Sequence, residues 1–508
     1  MKRLLILFLF VIFLGSCFSC SQNSKTRKVS YFPNENWKVS TPEQQGVDSD
    51  RLLKMFEYIQ SASTIDFHSI LIIKNGYLIT EAYWSPYNKN TTHNIKSASK
   101  SILSALVGIA LDKKYLNNLE QTVSEFYPEY TIDSLKQTIT LHDLLTMTGG
   151  LNWMEDAGPS PYDLNNWNKI PMRDKPGATF EYNTAMTHMM SAILTKATGV
   201  STKEFADKWL FESLGITNYQ WTKGDDGIYH GGSDIFLTPR DMAKFGYLYL
   251  RNGQWNEKQI VPKKWIKEST IKEVNIPADD FYAEGLNYGY WWWIQEKGYM
   301  AWGAGGQYII VDPDLDLVIV CTADGFDDIN LYAKFMRHFL ENYIYSAIRS
   351  NTPLSANPKI VEKLNNKVKE IENPEDITFK QMPRIAKDIS SNNYILEKND
   401  ISFQSTSLIF SDSECIWKYN IGGQSVTLKV GLNGNYLIND IGYSMGVNPD
   451  GDKIACKGYW KNNEFTIEHH IIGDPTKQIF TFGFDGDEIN VNLTTFGLNV
   501  SIKGIKEK

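Results

Sequence analysis

Ser97-Ala98-Ser99-Lys100 is followed by an apolar run that extends to Leu111. The run predicts a buried helix with Ser97 in its first turn. Residues three apart share a helix face, so Lys100 is expected to project toward the Ser97 hydroxyl. Burial and the positive end of the helix both disfavour the ammonium form, so we expect them to lower the pKa of this lysine. A neutral lysine beside a serine is the arrangement that activates the hydroxyl as a nucleophile.

The pattern S-x-x-K is short, and on its own a chance occurrence is the more frequent explanation. Ser269-Thr-Ile-Lys272 satisfies it as well, beside the charged pair Lys267 and Glu268. Such surroundings are typical of a solvated helix face. Ser97 therefore needs support from the rest of the chain.

The segments around Ser97 alternate in type along the chain. Two β-rich runs flank Asn75-Gly76, the strongest short signal for a hairpin turn. A largely helical stretch extends from Ser97 to about Lys272. This order of strands, helical insertion, strands and a last helix predicts an α/β fold, with helices on the faces of an antiparallel sheet and a helical subdomain. The later elements are expected at Tyr288 to Ile294, Gly306 to Val311, Asp316 to Cys321 and, as the closing helix, Ile329 to Ile348.

The C-terminal third has a different character. Residues 351–392 are rich in Asn, Pro, Lys and Glu and predict a linker with some helix, whereas residues 393–508 show short alternating strands separated by turns, which predicts an all-β meander domain. The adjacent pair His469 and His470 should point to opposite faces of a strand, which disfavours a metal site. Cys415 and Cys456 could pair, but the sequence leaves their connectivity open.

The N-terminus carries an export signal. Lys2 and Arg3 precede an apolar segment too short to cross a bilayer, so residues 1–17 predict a signal peptide. The ending Leu14-Gly15-Ser16-Cys17 resembles a bacterial lipobox, which implies lipidation of Cys17. The alternative is an ordinary signal peptide that happens to contain cysteines. We expect a membrane-anchored lipoprotein facing the periplasm, with residues 18–36 as its tether.

Composition excludes some functions and leaves others open. Hydrophobic residues make up 42% of the 508 residues, enough for sizeable cores and, at this length, for more than one domain. The formal net charge of −8 comes without a basic stripe, so nucleic acid is not an expected partner. The sequence does not indicate an oligomeric state.

Six short sequence segments, or phrases, lie between about residues 37 and 350. They occur in the same order as the motifs of one protein family. Together they resemble the serine β-lactamase-related family, which includes class C β-lactamases, D-alanyl-D-alanine carboxypeptidases, esterases and 6-aminohexanoate-oligomer hydrolases. The phrases are Asn94 to Ser101, Ile139 to Leu151, Pro176 to Thr184, Gly231 to Gly246, Tyr288 to Trp292 and Gly303 to Gln307 with its following strand.

The resemblance implies a β-lactamase/transpeptidase-like domain over residues 37–350 and a role for each matched residue. Ser97 would be the nucleophile of an acyl-enzyme, and Lys100 with Tyr182 the general bases. Backbone N–H groups of Ser97 and Gln307 would hold the oxyanion. No metal and no organic cofactor is implied.

Two departures from the family pattern bear on the substrate. Thr184 stands where the lactamases have Asn, and the stretch from Trp302 to Gln307 lacks the Lys or His that holds a substrate carboxylate in lactamases and carboxypeptidases. We therefore expect an esterase or amidase whose small-molecule or peptide-like substrate needs no carboxylate, bound by Thr184, Trp302, Gly305 and Gly306. Aromatic residues suggest an apolar cleft: Trp153, Trp167, Tyr290, Trp291, Trp292, Trp293 and Trp302.

Two other functions stay open. One is a penicillin-binding D,D-carboxypeptidase or β-lactamase, which the missing cation disfavours. The other is a non-catalytic envelope-binding lipoprotein, which the intact serine, lysine and tyrosine disfavour.

Overall fold

The structure is a computed structural model that describes residues 31–33, 36–61, 65–153, 158–276, 285–325, 329–375, 382–442, 452–495 and 498–508. The predicted signal peptide with Cys17 lies outside these ranges, so lipidation stays a prediction. None of the helices in the described ranges combines the length and the apolar character that a bilayer crossing requires.

The α-helices in the described ranges are α1 (Ser49–Ser61), α2 (Ser99–Asp112), α3 (Val123–Phe126), α4 (Leu141–Leu145), α5 (Thr184–Thr198), α6 (Thr202–Ala206), α7 (Glu212–Leu214), α8 (Pro239–Leu250), α9 (Lys263–Ser269), α10 (Ile329–Phe339), α11 (Pro358–Glu372) and α12 (Arg384–Ile389).

The strands fall into two groups along the chain. The N-terminal group is β1 (Asp66–Lys74), β2 (Tyr77–Tyr83), β3 (His93–Asn94), β4 (Gln220–Trp221), β5 (Ile235–Leu237), β6 (Gln254–Trp255), β7 (Lys258–Gln259), β8 (Val274–Asn275), β9 (Asn287–Tyr288), β10 (Trp293–Ile294), β11 (Tyr299–Gly303), β12 (Gln307–Asp312) and β13 (Leu317–Asp324). The C-terminal group is β14 (Asn393–Leu396), β15 (Phe403–Phe410), β16 (Glu414–Ile421), β17 (Gln424–Gly431), β18 (Leu437–Asp440), β19 (Lys453–Lys461), β20 (Glu464–Ile471), β21 (Lys477–Asp485), β22 (Glu488–Thr495) and β23 (Leu498–Lys506).

The N-terminal domain is built on one antiparallel sheet with the order β2-β1-β13-β12-β11-β10-β9-β8. The predicted hairpin is confirmed: β1 pairs with β2 across Asn75 and Gly76, both of which have positive φ. Helix α8 packs on β1, β12 and β13. The sheet therefore joins the strands that precede the helical insertion to those that follow it, and the predicted α/β fold is confirmed.

Helix α2 runs through the centre of the helical part and is buried along nearly its whole length. Its apolar run has no polar face to turn to solvent, which is the pattern of an interior helix. It packs against α5, α9 and β11. This central position brings the start of α2 to the junction of the helical subdomain and the sheet.

The segment Tyr288 to Ile294 differs from the single strand expected from the sequence. It forms β9, a tight turn and β10, and Trp291 in the turn has a φ of 61°. The Trp291 indole donates to the Leu144 carbonyl at 3.0 Å, and the Trp291 carbonyl accepts from the Ser101 hydroxyl at 2.6 Å. These contacts with α4 and α2 hold the turn, and local sequence does not reveal them.

The predicted linker carries helices that belong to the two domains. Helix α11 packs against α1 and β2, and its Leu364 is buried in the core of the N-terminal domain. Helix α12 packs on β15 of the C-terminal domain. The change of domain therefore falls between these two helices.

The C-terminal domain is a β-barrel, which fits the predicted all-β domain. Its strands follow the order β17-β16-β15-β14-β23-β22-β21-β20-β19, and a parallel bridge between Gly431 and Lys457 closes the ring from β17 to β19. Strand β18 pairs with the outer side of β19. Aromatic and aliphatic side chains, including Trp417, Phe465 and Phe482, are fully buried in its core. Cys415 and Cys456 are free and buried, so the possible disulfide is not formed.

Candidate active site

Ser97 lies in a 3₁₀ turn, Lys96–Ala98, directly before α2. Two hydrogen bonds from backbone N–H groups hold the approach to this turn. The Ile95 N–H donates to the Ile235 carbonyl of β5 at 2.9 Å, and the Lys96 N–H donates to the Asn94 side-chain oxygen at 2.9 Å. Ser97 itself remains partly exposed. The turn therefore presents the hydroxyl at the surface end of a buried helix.

Lys100 is 1% exposed and points at Ser97. Its Nζ lies 3.0 Å from Ser97 Oγ, 3.0 Å from Thr184 Oγ1 and 3.0 Å from the Gly232 carbonyl oxygen. Three oxygens at hydrogen-bonding distance fix the position of the amine. The i, i+3 geometry expected from the sequence is present.

Tyr182 lies on the other side of the lysine. Lys100 Nζ is 4.8 Å from the centroid of the Tyr182 ring, and this ring stacks on Trp293 with centroids 5.7 Å apart. The Asn183 side chain accepts from the Met186 N–H at 3.2 Å and so caps α5 at this point. The cap places Tyr182 just outside the helix, where its ring faces the lysine.

Thr184 was expected to contact substrate. As the first residue of α5 it is 2% exposed, and its hydroxyl is directed to Lys100. In the described arrangement Thr184 therefore belongs to the set of groups that hold the lysine.

Gly232 makes room for the lysine. A Cβ at this position would stand 2.6 Å from Thr184 Cγ2, 2.6 Å from Thr187 Oγ1 and 3.2 Å from Lys100 Nζ. Glycine lets the backbone carbonyl approach the amine without displacing these side chains. Gly232 lies in one of the family phrases, but the sequence by itself indicates no role for it.

The hairpin between β11 and β12 reaches the nucleophile turn. A Cβ on Gly303 would stand 2.1 Å from the Ile95 carbonyl oxygen, so glycine permits the close approach of the two backbones. Gln307 is the register partner of Gly303, and Gly305 and Gly306 lie in the turn between them. The Gln307 side chain donates to the Ala323 carbonyl at 2.7 Å. This arrangement brings the predicted oxyanion strand beside Ser97, and the role of its N–H group stays a prediction.

The aromatic residues expected around the cleft are all largely buried, and Trp293 among them stacks on Tyr182. Trp293 lies 5.3 Å from Trp302, which stacks on Tyr308. Trp302 and Tyr308 also line a cavity of about 290 Å³ together with Met300. An aromatic row therefore extends from Tyr182 to this cavity.

A polar network lies behind the nucleophile turn. Asn94 donates to Asp234 at 2.6 Å, and the other oxygen of Asp234 is 2.7 Å from His230 Nδ1. Burial by itself would raise the pKa of Asp234, but these hydrogen bonds and the nearby charge of Lys96 hold it well below its usual range. A carboxylate that stays ionised in this place anchors Asn94. Sequence reasoning missed this network, since no motif joins its members.

The second copy of the S-x-x-K pattern is not part of the site. Ser269 lies at the end of α9, is fully buried, and donates to the Ile266 carbonyl at 3.3 Å. The expectation that this copy lies on a solvated helix face is wrong for Ser269. It holds for Lys272, which is exposed. Across the described ranges there is no group of three or more His, Cys, Asp or Glu that could hold a metal ion.

Comparisons with known proteins agree with this fold. The family profile described as Beta-lactamase matches residues 62–333. The 6-aminohexanoate-dimer hydrolase of Paenarthrobacter ureafaciens is 23% identical over 282 residues, which cover 50% of this chain and 71% of the relative. An uncharacterized protein of Alkalihalophilus pseudofirmus is 24% identical over 253 residues, covering 45% of this chain and 70% of the relative. A solved structure from Bacillus anthracis, described as "Putative 6-aminohexanoate-dimer hydrolase", aligns with a TM-score of 0.51 at 20% identity, over 63% of this chain and 90% of that one.

Fold and comparisons together define a hydrolase with the β-lactamase/transpeptidase-like architecture. The chain belongs to the beta-lactamase family.

Proposed function

We propose that this protein is a serine hydrolase that cleaves an ester or amide through a Ser97 acyl-enzyme. The observation that carries the proposal is the position of Lys100 Nζ, 3.0 Å from the Ser97 hydroxyl oxygen and bonded on its other sides to Thr184 and Gly232. The Gly232 carbonyl can only accept a hydrogen bond, so one N–H of the amine must point to it. When Thr184 accepts the second, the lone pair of a neutral amine is directed at Ser97.

The proposed reaction begins when the Ser97 proton moves to Lys100 Nζ and Ser97 Oγ attacks the carbonyl carbon. The carbonyl oxygen becomes an oxyanion, which the N–H groups of Ser97 and Gln307 stabilise. The bond to the leaving group then breaks, and that group takes a proton relayed from Lys100 through Tyr182. Water, deprotonated by the same pair, attacks the acyl-enzyme and releases the acid and free Ser97.

The substrate class follows from the charge and the shape around the site. The β11–β12 turn has the sequence Ala304-Gly305-Gly306 and offers no cation to a carboxylate. The cation next to the nucleophile, Lys96, is paired with Asp474 at 3.2 Å. The row of aromatic side chains beside Tyr182 favours an apolar acyl or leaving group. These features support an esterase or amidase whose substrate lacks a required carboxylate.

Intact-mass labelling with a fluorophosphonate tests the proposal. We expect one adduct on residues 21–508, mapped to Ser97 and absent from Ser97→Ala. Ser269→Ala is the matched control, since it removes the serine of the other S-x-x-K copy, and it should keep the adduct. Absence of labelling under conditions that modify a control serine hydrolase would reject the nucleophile. Stoichiometric acylation by a fluorescent penicillin would instead favour the penicillin-binding alternative.

A further inference from the structure

The C-terminal barrel touches the N-terminal domain through the loop between β20 and β21, residues 472–476. The Asn94 N–H donates to the Gly473 carbonyl at 2.7 Å. Gly473 has a φ of 91°, and a Cβ there would stand 2.6 Å from the Thr92 carbonyl oxygen. A side chain at this position would strain the loop and push it away from the nucleophile segment. The glycine therefore permits a backbone contact three residues before Ser97.

The next residue of the same loop forms an ion pair beside the nucleophile. Asp474 Oδ2 lies 3.2 Å from Lys96 Nζ, and the two side chains are 11% and 25% exposed. Partial burial shields such a pair from solvent screening more than a surface pair. The barrel thus holds the side chain of the residue that directly precedes Ser97.

Lys96 needs such support because its backbone is in an unfavourable conformation. Its φ is 48°, in the left-handed region that residues with a side chain seldom adopt. A strained residue persists only where its surroundings fix it from several sides. Asn94 holds the Lys96 backbone N–H at 2.9 Å, and Asp474 holds the ammonium group. One of these two restraints comes from the barrel, and the barrel also contacts Asn94 itself.

A second contact fixes the loop on the N-terminal domain. Asp66 and Asp324 are register partners at one end of the β1–β13 ladder, so two carboxylates meet there. Lys477, the first residue of β21, donates its backbone N–H to Asp324 at 2.6 Å and its ammonium group to Asp66 at 2.8 Å. Burial by itself would raise the pKa of Asp66, but the charge of Lys477 and two nearby histidines lower it to about 2. The barrel supplies the positive charge that this sheet end requires.

We propose that Asp474 and Gly473 are positioning residues for Ser97. The barrel would then contribute to catalysis by orienting the nucleophile of the N-terminal domain. This inference rests on the proposed function of Ser97. The loop fixes Asn94 and Lys96, and these two residues set the turn that aims the hydroxyl at the substrate carbonyl. A displacement of about 1 Å in a reacting group costs on the order of a hundredfold in rate, so a restraint next to the nucleophile is kinetically significant.

The test compares Asp474→Asn, Lys96→Met and the double variant in residues 21–508, with a p-nitrophenyl ester and a fluorophosphonate as probes. We expect Asp474→Asn to lower kcat and the labelling rate about tenfold with KM nearly unchanged. The Ser97 hydroxyl would be less well oriented, whereas the groups that bind the substrate would not change. Because Asp474 acts through Lys96, the double variant should be no slower than the slower single variant. Asp485→Asn, an exposed aspartate next to the following barrel turn, is the matched control and should keep the wild-type rate.

The outcomes separate this inference from the proposed function. If the wild-type chain labels at Ser97 and Asp474→Asn labels equally fast, the positioning role is wrong. Absence of labelling in the wild-type chain would reject the nucleophile itself. Thermal unfolding of each variant identifies any loss of fold. Lys96→Met removes the same ion pair from the other side, so a wild-type kcat in that variant overturns the proposal even if Asp474→Asn does not fold.

Discussion

At the scale of single residues, the proposed chemistry depends on how closely the backbone of Gly232 can approach the Lys100 amine. Two of the oxygens that lie 3.0 Å from its Nζ, Thr184 Oγ1 and the Gly232 carbonyl, come from parts of the chain distant from the S-x-x-K pattern. They orient the amine beside Ser97. These polar contacts therefore hold the amine in position although the side chain is almost fully buried.

Gly232→Ala tests this arrangement. The new methyl group would stand 2.6 Å from both Thr184 Cγ2 and Thr187 Oγ1, so either these side chains or the loop must move, and either movement displaces an oxygen that contacts Lys100 or its neighbours. We expect kcat for a p-nitrophenyl ester to fall by about a hundredfold, as misplaced catalytic groups do. Gly483→Ala in the barrel meets no atom closer than 3.5 Å and serves as control. An unchanged kcat in Gly232→Ala would show that this carbonyl contact does not matter for catalysis.

At the scale of elements, α11 shows how a segment with a linker-like composition becomes part of a domain. Its apolar residues occupy one face, and Leu364 and Ile371 on that face are buried against the N-terminal core. Most of its charged residues are exposed, which explains why composition alone indicates a linker. Burial of a narrow apolar stripe is sufficient to fix such a helix.

Leu364→Ala measures the contribution of α11 to the N-terminal domain. Leu364 is 2% exposed, so its truncation should lower the free energy of unfolding by about 2–4 kcal/mol through lost transfer energy and a residual cavity. Urea denaturation of the full chain gives the value. Asn365→Ala, at an exposed position of the same helix, should change it by less than about 0.5 kcal/mol. Equal stability of both variants would mean that α11 does not contribute to the domain.

At the scale of the whole molecule, the two domains meet over buried aromatic and histidine side chains. His68 of β1 stacks on Tyr87 with ring centroids 3.8 Å apart, and the Tyr87 hydroxyl lies 3.1 Å from His470 Nδ1 of the barrel. The Tyr436 hydroxyl lies 3.0 Å from the other ring nitrogen of His470. Burial, the largest cause, lowers the pKa of both histidines to about 3, with Asp66 opposing it.

These histidines make stability depend on pH in a defined direction. Above pH 6.5 they are neutral in the folded and the unfolded chain, so their burial carries no protonation cost. Between about pH 6.5 and 3 the unfolded chain binds protons that the folded chain does not, so stability falls as pH falls. We expect the thermal midpoint to drop from pH 7.5 to pH 5, and less steeply in His470→Gln. His338→Gln, at an exposed position, should follow the wild-type slope. A midpoint independent of pH over this range would contradict the neutral burial of these rings.

The adjacent histidines of β20 follow the period of a strand, as expected. His469 turns into the barrel toward Trp417 and Phe480, whereas His470 turns out toward the N-terminal domain. The period predicts opposite faces. It does not indicate that one of the faces is an interface between domains, since that depends on where the barrel docks.

The sequence by itself determined the elements and the parts of the site that lie close together in the chain. The apolar run after Lys100 gave the buried helix, the hairpin followed from Asn75-Gly76, and a spacing of three residues put Lys100 beside Ser97, because helical geometry fixes such a short separation. Family phrases added Tyr182 and the β11–β12 hairpin.

Only the tertiary structure decided which distant groups complete the site. The carbonyl of Gly232, the stacking of Trp293 on Tyr182 and the approach of Asp474 to Lys96 each join residues far apart in sequence. No local pattern specifies such contacts, since they arise where the loop before β5, the β9–β10 turn and the β20–β21 loop of the barrel meet the segments around Ser97 and Lys100. Local periodicity predicts which face of a helix or strand is buried. The residues that this face contacts depend on how the helices, strands and domains pack together.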